Sequence, residues 1–265
     1  MEAVIYEKIT TIPSFLGDRY GRVNLSNLVN VLLQVSGEQG REIDAMPVSK
    51  LWLKWVIIQY DIQITRMPNT GEELRIRTFI QEHNRVFSYR EFEVYDADDN
   101  LIVYVMTVFA LIDENRKLTS IPKKIVGGYG SKQNKRIKRM PQPIPPKHDE
   151  KINRKDYEVR YFDIDGNFHA NNSMYFIWML DALGDEFLAT HDIIEGNIVY
   201  EKEIVMDEQV ESYVDFRMDD QERLVSRHQI KVDGISKTLA NFVWQSNDVD
   251  YERDIRNLEN NGAKD

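Results

Sequence analysis

DIDGNFHANNSMY, residues 163–175, is the stretch of this sequence that says most about its fold and chemistry. It places two carboxylates, three carboxamides and a histidine directly before an apolar segment. In an extended chain, alternate side chains share a face. One face then carries Asp163, Asp165, Asn167, His169 and Asn171, and the other carries Ile164, Gly166, Phe168 and Ala170. The alternative is a polar loop that only caps the next helix. The presence of a histidine among these polar residues favours a catalytic site.

Outside this stretch, a segment rich in Pro, Gly and Lys at 121–155 divides the chain into two halves. The first half predicts a strand at 4–10, a helix at 25–35 and β-rich runs at 52–66, 73–81, 88–95 and 101–112. The second half predicts a strand at 157–162, a helix at 173–189 and β-rich runs at 197–206, 210–218, 223–232 and 236–245. Each half therefore has the order strand, helix and four strands.

This repeated order predicts an α+β fold that arose by duplication. Each unit is an antiparallel sheet wrapped around a central helix. The second helix, SMYFIWMLDALGDEFLA, is apolar nearly all round, which is typical of a helix enclosed by a sheet. We expect an N-terminal domain at 1–121, a linker at 122–155, a C-terminal domain at 156–250 and a polar, frayed tail at 251–265.

The composition is that of a globular protein, with 42% hydrophobic and 29% charged residues among 265. The absence of cysteine excludes disulfides and thiolate nucleophiles, so any nucleophile is oxygen-based, most simply water. No run approaches the ~20 apolar residues of a membrane span, and the N-terminus lacks the features of a signal peptide. We therefore expect a soluble, cytoplasmic protein with no membrane span.

Charge is unevenly distributed along the chain. The net charge of −10 argues against general nucleic-acid binding. The basic linker Lys123–Lys155, however, carries eleven Lys and Arg against Asp149 and Glu150. This segment either engages an acidic partner or is simply kept solvated by its lysines. The scattered histidines lack zinc-site spacing and no nucleotide motif follows a strand, so we expect no metal and no cofactor.

The motif Asp165-x-Asn167-x-His169-x-Asn171-Asn172-x-x-Tyr175-x-x-Trp178 resembles the signature of plant and bacterial acyl-ACP thioesterases. The duplicated halves likewise resemble the double hotdog fold of that family. Downstream, the run Tyr200-Glu201-Lys202-Glu203-Ile204 is similar to a second family block, in which the glutamate is kept and the cysteine of the plant enzymes is not. The resemblance implies hydrolysis of a fatty acyl thioester on the phosphopantetheine arm of acyl carrier protein, a small acidic partner.

The same resemblance implies roles for individual residues. Asn167 and His169 hold the carbonyl and the water, Glu203 is the general base, and Asp165 orients the other groups. N–H groups around residues 171–173 add positive potential toward the oxyanion. Candidate substrate-binding residues are Asn171, Asn172 and Tyr175, with Leu28, Val31 and Leu32 beside an apolar tunnel for the acyl chain.

Several alternatives remain open at this level. Glu201 lies two positions from Glu203 on the same strand face, so the residues alone do not choose between them as the base. Asn172 is most simply the N-cap of the helix. Other functions are an acyl-CoA thioesterase of hotdog type, an acyl-binding protein without catalysis, or a hydratase of enoyl thioesters. Chain-length preference and the choice between monomer and homodimer are not decided by the sequence.

Overall fold

A computed structural model describes residues 2–43, 47–149 and 151–262. The first half contains β1 (Tyr6–Thr11), α1 (Leu25–Glu42), β2 (Lys54–Ile64), β3 (Glu73–His83), β4 (Phe87–Tyr95), β5 (Leu101–Ile112), β6 (Leu118–Thr119), α2 (Lys123–Val126) and β7 (Lys132–Gln133). The second half contains β8 (Asn153–Glu158), α3 (Asn172–Asp181), α4 (Asp185–Thr190), β9 (His191–Tyr200), β10 (Gln209–Met218), β11 (Leu224–Val232), β12 (Ile235–Ser246) and α5 (Tyr251–Gly262). None of these described helices is long and apolar enough to cross a bilayer.

All strands belong to one sheet, in the order β1-β3-β4-β5-β2-β9-β12-β11-β10-β8, with β6 beside β5 and β7 beside β3. The two halves repeat one order about a central antiparallel pair, β2 and β9. In that pair Gln59 lies opposite Val199 and Gln63 lies opposite Glu195. The predicted duplication and the double hotdog fold are therefore confirmed.

The two central helices contact each other on the inner face of this sheet. α1 begins at its N-cap Asn24, whose side chain accepts the N–H of Asn27 at 2.8 Å. Its core-facing side chains are Leu25, Leu28, Val29, Leu32 and Val35, and α3 buries Tyr175, Phe176, Trp178 and Met179. Each such side chain contributes about 1.5–3 kcal/mol by burial. The helices are thus fixed to the sheet by a shared apolar core.

Two helix predictions differ from the structure. α1 continues past residue 35 to Glu42 because Gln39 is buried there and accepts Arg90 Nη1 at 2.6 Å. The second helix is divided because Gly184 has a φ of 87°, which ends α3 and starts α4. β9 accordingly begins at His191 rather than at residue 197.

The ends of the second half also differ from prediction. β8 covers Asn153–Glu158, and part of the strand predicted at 157–162 is a 3-10 turn, Tyr161–Asp163. The tail is not frayed at its start, because Tyr251–Gly262 is helical as α5. Residues 263–265 of the predicted tail lie outside the described residues.

The linker lies along the outer face of the sheet, opposite the central helices. The carbonyl of Pro141 accepts Asn197 Nδ2 at 2.8 Å. Ile144 exchanges two hydrogen bonds with the side chain of Asn241, at 2.8 and 2.9 Å. Polar side chains of the central strands therefore bind the linker backbone, which replaces water as their partner.

Candidate active site

Residues 165–168 form a tight turn rather than an extended strand. Ile164 and Ala170 form an isolated antiparallel bridge. Inside it, the N–H of Asp165 donates to the carbonyl of His169 at 2.8 Å, and the N–H of Phe168 donates to the carbonyl of Asp165 at 3.0 Å. Phe168 is 80% exposed and has a left-handed φ of 65° at the tip. The expectation of one polar face on an extended segment is therefore wrong, because the chain reverses here.

Asp165 fixes the inside of this turn. Its Oδ1 accepts the N–H of Asn167 at 2.7 Å, which is an Asx turn. The Asn167 side chain is exposed and lies beside the same carboxylate. Asp163 lies apart, because it is buried, pairs with Arg160 and accepts the N–H of Asn171 on its carbonyl at 2.8 Å. Asp165 thus stabilises the turn itself, and the carbonyl of Asp163 stabilises the chain where it leaves the turn at Asn171.

The N-cap of α3 is Asn171. Its Oδ1 accepts both the N–H and the Oγ–H of Ser173 at 3.0 Å. The prediction of Asn172 as the cap is wrong by one residue, because Asn172 is the first helical residue and its carbonyl accepts Tyr200 OH at 2.9 Å. The N–H groups of Asn171 and Ser173 are already bonded, which leaves that of Asn172 as the candidate donor to a ligand.

Glu203 and His169 face each other across the site. Glu203 Oε2 lies 3.6 Å from His169 Nε2. The His169 side chain is 12% exposed and that of Glu203 is 39% exposed, so the pair is accessible from one side. Arg116, from the hairpin between β5 and β6, also pairs with Glu203. The site therefore contains residues of both halves.

Burial lowers the pKa of His169 from its usual 6.5. The positive charges of Arg116 and Lys54 lower this pKa further, and the carboxylate of Asp165 opposes them. A lowered pKa keeps the imidazole neutral at neutral pH. His169 can then accept or share a proton.

The segment that carries Glu203 is held by Lys237 of β12. Lys237 Nζ donates to the carbonyl of Glu203 at 3.0 Å and to Glu208 Oε1 at 3.2 Å. The carbonyl of Ile204 accepts the N–H of Ala170 at 2.8 Å, which ties this segment to residues 164–170, named the catalytic turn for the candidate catalytic side chains that it carries. Among the described contacts of Glu201 and Glu203, only the Glu203 carboxylate meets His169. This geometry supports Glu203 as the base.

The residues that sequence reasoning missed are Lys54, Arg116 and Lys237. Arg116 follows a turn signal, Asp113-Glu114-Asn115, but nothing local shows that its side chain crosses to the other half. Lys237 is 8% exposed, which is unusual for a lysine. Only the pairing of distant strands brings these cations to the site.

The predicted substrate-binding residues Tyr175, Leu28, Val31 and Leu32 lie deeper in the protein than Glu203. Tyr175 is 2% exposed, and its ring centroid is 5.1 Å from that of Tyr200. Leu28 and Leu32 are packed in the core, and Val31 is half-buried. An acyl chain that runs along α1 must therefore displace packed side chains or pass beside them.

The first half contains a counterpart of the catalytic turn at residues 17–24. The N–H of Asp18 donates to the carbonyl of Arg22 at 2.7 Å, as Asp165 does to His169. Asp18 Oδ1 accepts the N–H of Tyr20 at 2.8 Å, as Asp165 accepts that of Asn167. The two turns therefore have one backbone design.

The side chains of the two turns differ at the positions of the candidate catalytic residues. Arg22 occupies the position of His169, and Tyr20 that of Asn167. The carbonyl of Pro68 accepts the N–H of Val23 at 2.9 Å, as Ile204 does for Ala170, so Met67 occupies the position of Glu203. The counterpart turn thus has neither the imidazole of His169 nor the carboxylate of Glu203.

Arg22 instead joins the two halves. Its guanidinium donates to Asp18 at 3.0 Å, to Asp192 at 2.8 Å and to the carbonyls of Leu188 and Ala189 at 3.1 and 3.4 Å. Four acceptors, three of them on the second half, occupy this side chain. Arg22, the counterpart of His169, is therefore a structural clamp.

Two halves of one backbone design, in which only the second half places a histidine opposite a glutamate, define a double hotdog protein of the thioesterase class. Residues 3–129 match the family described as the acyl-ACP thioesterase N-terminal domain, and residues 146–246 match the acyl-ACP thioesterase C-terminal domain. The chain belongs to the acyl-ACP thioesterase family.

Named relatives agree with this assignment. The chain is 25% identical over 221 residues to a chloroplastic dodecanoyl-[acyl-carrier-protein] hydrolase of Cinnamomum camphora, covering 79% of this chain and 57% of the relative. It is 23% identical over 218 residues to a chloroplastic oleoyl-acyl carrier protein thioesterase of Coriandrum sativum, covering 74% and 58%. The chain therefore spans little more than half the length of these curated relatives.

Solved structures share the whole fold. A Lactobacillus plantarum protein described as a candidate oleoyl thioesterase superposes with a TM-score of 0.89 at 30% identity, covering 93% of this chain and 98% of that one. A 12:0-ACP thioesterase from Umbellularia californica superposes with a TM-score of 0.80 at 19% identity, covering 92% and 94%. The second likeness supports the fold.

Proposed function

We propose that this protein hydrolyses fatty acyl thioesters of acyl carrier protein and releases the free fatty acid. The observation that carries the proposal is the contact of Glu203 with His169 at 3.6 Å, beside the N-terminus of α3. A carboxylate base, a neutral imidazole and a helix N-terminus are the groups that water-mediated acyl transfer needs. Membership of the acyl-ACP thioesterase family supports this substrate class.

These positions support the following sequence of steps. Glu203, with His169, removes a proton from a water molecule, and the water oxygen attacks the thioester carbonyl carbon. The carbonyl electrons move to oxygen, where the Asn167 carboxamide and the N–H of Asn172 stabilise the charge. The carbonyl re-forms, the C–S bond breaks, and the thiolate takes the proton held by Glu203. Asp165 keeps the turn in shape throughout.

A distance of 3.6 Å is longer than a hydrogen bond, which is common for catalytic pairs before substrate binds. Arg116 holds the Glu203 carboxylate at the mouth of the site, and Lys54 adds a second cation there. Both cations also suit the phosphate of a phosphopantetheine arm. We assign them to the positioning of Glu203 and of the arm.

The exposed cations of the linker are the proposed docking surface for an acidic carrier. Lys135, Arg136, Lys138 and Arg139 are all exposed. β7 pairs with the end of β3 at His83, which places this part of the linker at the sheet end where β5 stops and the Arg116 hairpin begins. Charge complementarity there favours rapid encounter with an anionic protein.

The remaining assignments belong to the same proposal. Asn171, Asn172 and Tyr175 would contact the substrate near the thioester, and Leu28, Val31 and Leu32 would limit the acyl chain. The N-terminal unit, 1–121, holds the chain, and the C-terminal unit, 156–250, performs the reaction. The cytoplasmic location and the choice between monomer and homodimer stay predictions.

A hydrolase of acyl-CoA is the second candidate, because the cations at the site would also attract the phosphates of CoA. Dodecanoyl-ACP and dodecanoyl-CoA would be compared by thiol release and by mass detection of dodecanoic acid. We expect a higher kcat/KM for the carrier thioester, and loss of both activities in Glu203→Gln. A preference for the CoA ester would contradict the choice of carrier, and no acid from either would contradict hydrolysis.

A further inference from the structure

A cavity lies beside the counterpart turn at residues 17–24, which the duplication relates to the turn that carries His169. Its volume is about 320 Å³. This is at the lower end of the ~300–1,000 Å³ typical of small-molecule sites. It opens between the counterpart turn, the N-terminus of α1, and α3 and α4 of the second half. Nothing in the proposed reaction uses it.

The lining of this cavity is mainly apolar. Its inner side chains are Val23, Leu25, Ile193 and Trp244, all less than 9% exposed. Ile177 on α3 and Leu188 on α4 lie nearer the opening, where Ile177 is 37% exposed. An apolar interior with an open mouth favours a flexible hydrocarbon chain over a polar metabolite.

The cavity occupies the position that the duplication assigns to a second active site. Tyr20, Arg22 and Met67 all line it. These residues stand where the catalytic half has Asn167, His169 and Glu203. An arginine bonded to four acceptors cannot act as a neutral proton acceptor, and a thioether is no general base. A thioester bound here would not be hydrolysed.

Charge at the mouth limits the ligand further. Every carboxylate of the lining has a cationic partner: Asp18 and Asp192 pair with Arg22, Asp185 with Arg19, and Asp181 with Lys155. Arg22 and Arg19, the two arginines among the described lining residues, are thereby engaged, so neither is free to hold a fatty acid carboxylate. A neutral head group such as a thioester therefore suits this mouth better than a free acid.

We propose that the cavity is a second acyl site, which binds the acyl chain of a thioester without hydrolysing it. The choice of ligand rests on the proposed function, since the two sites share one backbone design. An acyl chain bound in the cavity would contact α3 directly through Ile177 and Leu180. α3 begins at its N-cap Asn171, directly after the catalytic turn, so both sites lie along the same helix.

Isothermal titration with S-dodecyl-pantetheine tests the proposal. This neutral thioether mimics an acyl thioester and cannot be hydrolysed. We expect two molecules bound per chain in the wild type and one in Ile177→Trp, whose indole fills the mouth. Leu188→Trp provides an independent blocking variant if Ile177→Trp does not fold. Ile235→Trp, at the exposed first residue of β12 and outside the cavity, is the matched control and should keep both sites.

One bound molecule in the wild type, unchanged in both blocking variants, would overturn the proposal. Sodium dodecanoate should displace the thioether from at most one site, because the second lacks a cation for its carboxylate. If the same concentration of dodecanoate displaces the thioether from both sites, the assigned head-group preference is wrong. Hydrolysis of dodecanoyl-ACP is measured separately. If it is absent while two thioethers bind, the proposed function fails and the second site stands.

Discussion

Glu203 Oε2 and His169 Nε2 lie 3.6 Å apart, although the two residues belong to different segments of the second half. The carbonyl of Ile204, which follows Glu203, accepts the N–H of Ala170, which follows His169. The backbone bond at 2.8 Å therefore fixes the side-chain contact next to it. Such support by neighbouring backbone keeps catalytic groups oriented before substrate arrives.

Replacement of the proposed base distinguishes the two glutamates. Glu203→Gln should lower kcat on dodecanoyl-ACP by about 100-fold or more, because loss of a catalytic proton acceptor typically costs 10²–10⁴. Glu201→Gln is the matched control, two residues away on the same segment, and should stay within about threefold of wild type. If kcat falls equally in both variants while Tm is unchanged, Glu203 is not the general base.

The pH profile should report the lowered pKa of His169. Protonation of His169 disables it, so kcat/KM should fall on the acidic side, at a pH below the usual 6.5 of histidine. Arg116→Ala removes one charge that lowers this pKa, so the acidic limb should move to higher pH. NMR titration of His169 in wild type and Arg116→Ala gives the pKa directly. A limb that stays in place or moves to lower pH would contradict this electrostatic account.

Loss of the Arg22 clamp should destabilise the fold. Arg22→Ala removes the guanidinium that Asp18, Asp192 and two carbonyls share, and we expect the free energy of unfolding to fall by about 2 kcal/mol. Arg19→Ala is the control, because its pair with Asp185 is exposed and such pairs contribute about 0–1 kcal/mol. Urea unfolding measures both variants. Similar values for the two would show that Arg22 joins the halves only weakly.

Neutralisation of the linker tests carrier docking. Two double variants, Lys135→Gln with Arg136→Gln and Lys138→Gln with Arg139→Gln, should raise KM for dodecanoyl-ACP and weaken its salt dependence, with little change in kcat. Arg253→Gln with Arg256→Gln on α5 removes the same charge elsewhere and should leave KM unchanged. If KM rises equally in all three, the effect is one of net charge and the linker is not a docking surface.

The buried histidine of β11 should make the fold sensitive to acid. Burial lowers the pKa of His228 to about 3, and Asp215 only partly opposes this. The unfolded chain takes up a proton near pH 6.5, whereas the folded chain does not, so the stabilising contribution is present above that pH and is lost as pH falls toward 3. Relative to wild type, His228→Leu should gain about 2 kcal/mol in unfolding free energy between pH ~7 and ~4.5. A constant difference between the two proteins would refute this.

The repeat of strand, helix and four strands was predictable because alternating and helical apolar patterns are local features. β10, for example, covers Gln209–Met218 where 210–218 was expected. The turn at residues 165–168 was missed because Asx side chains suit either an extended row or a reversal. Contact of Arg116 with Glu203 was beyond local reasoning, since it depends on the pairing of β2 with β9.

The antiparallel pair β2 and β9 joins the two halves within one continuous chain. If the halves were separate, identical hotdog subunits, this pair would be the interface between two copies. In a dimer of identical chains, every substitution appears at both turns, so an arginine clamp in place of the histidine would abolish both sites. A single chain that holds both turns is free of this constraint. Linkage of the halves thus permits the proposed arrangement, in which one turn carries the reaction and its counterpart binds the two halves together.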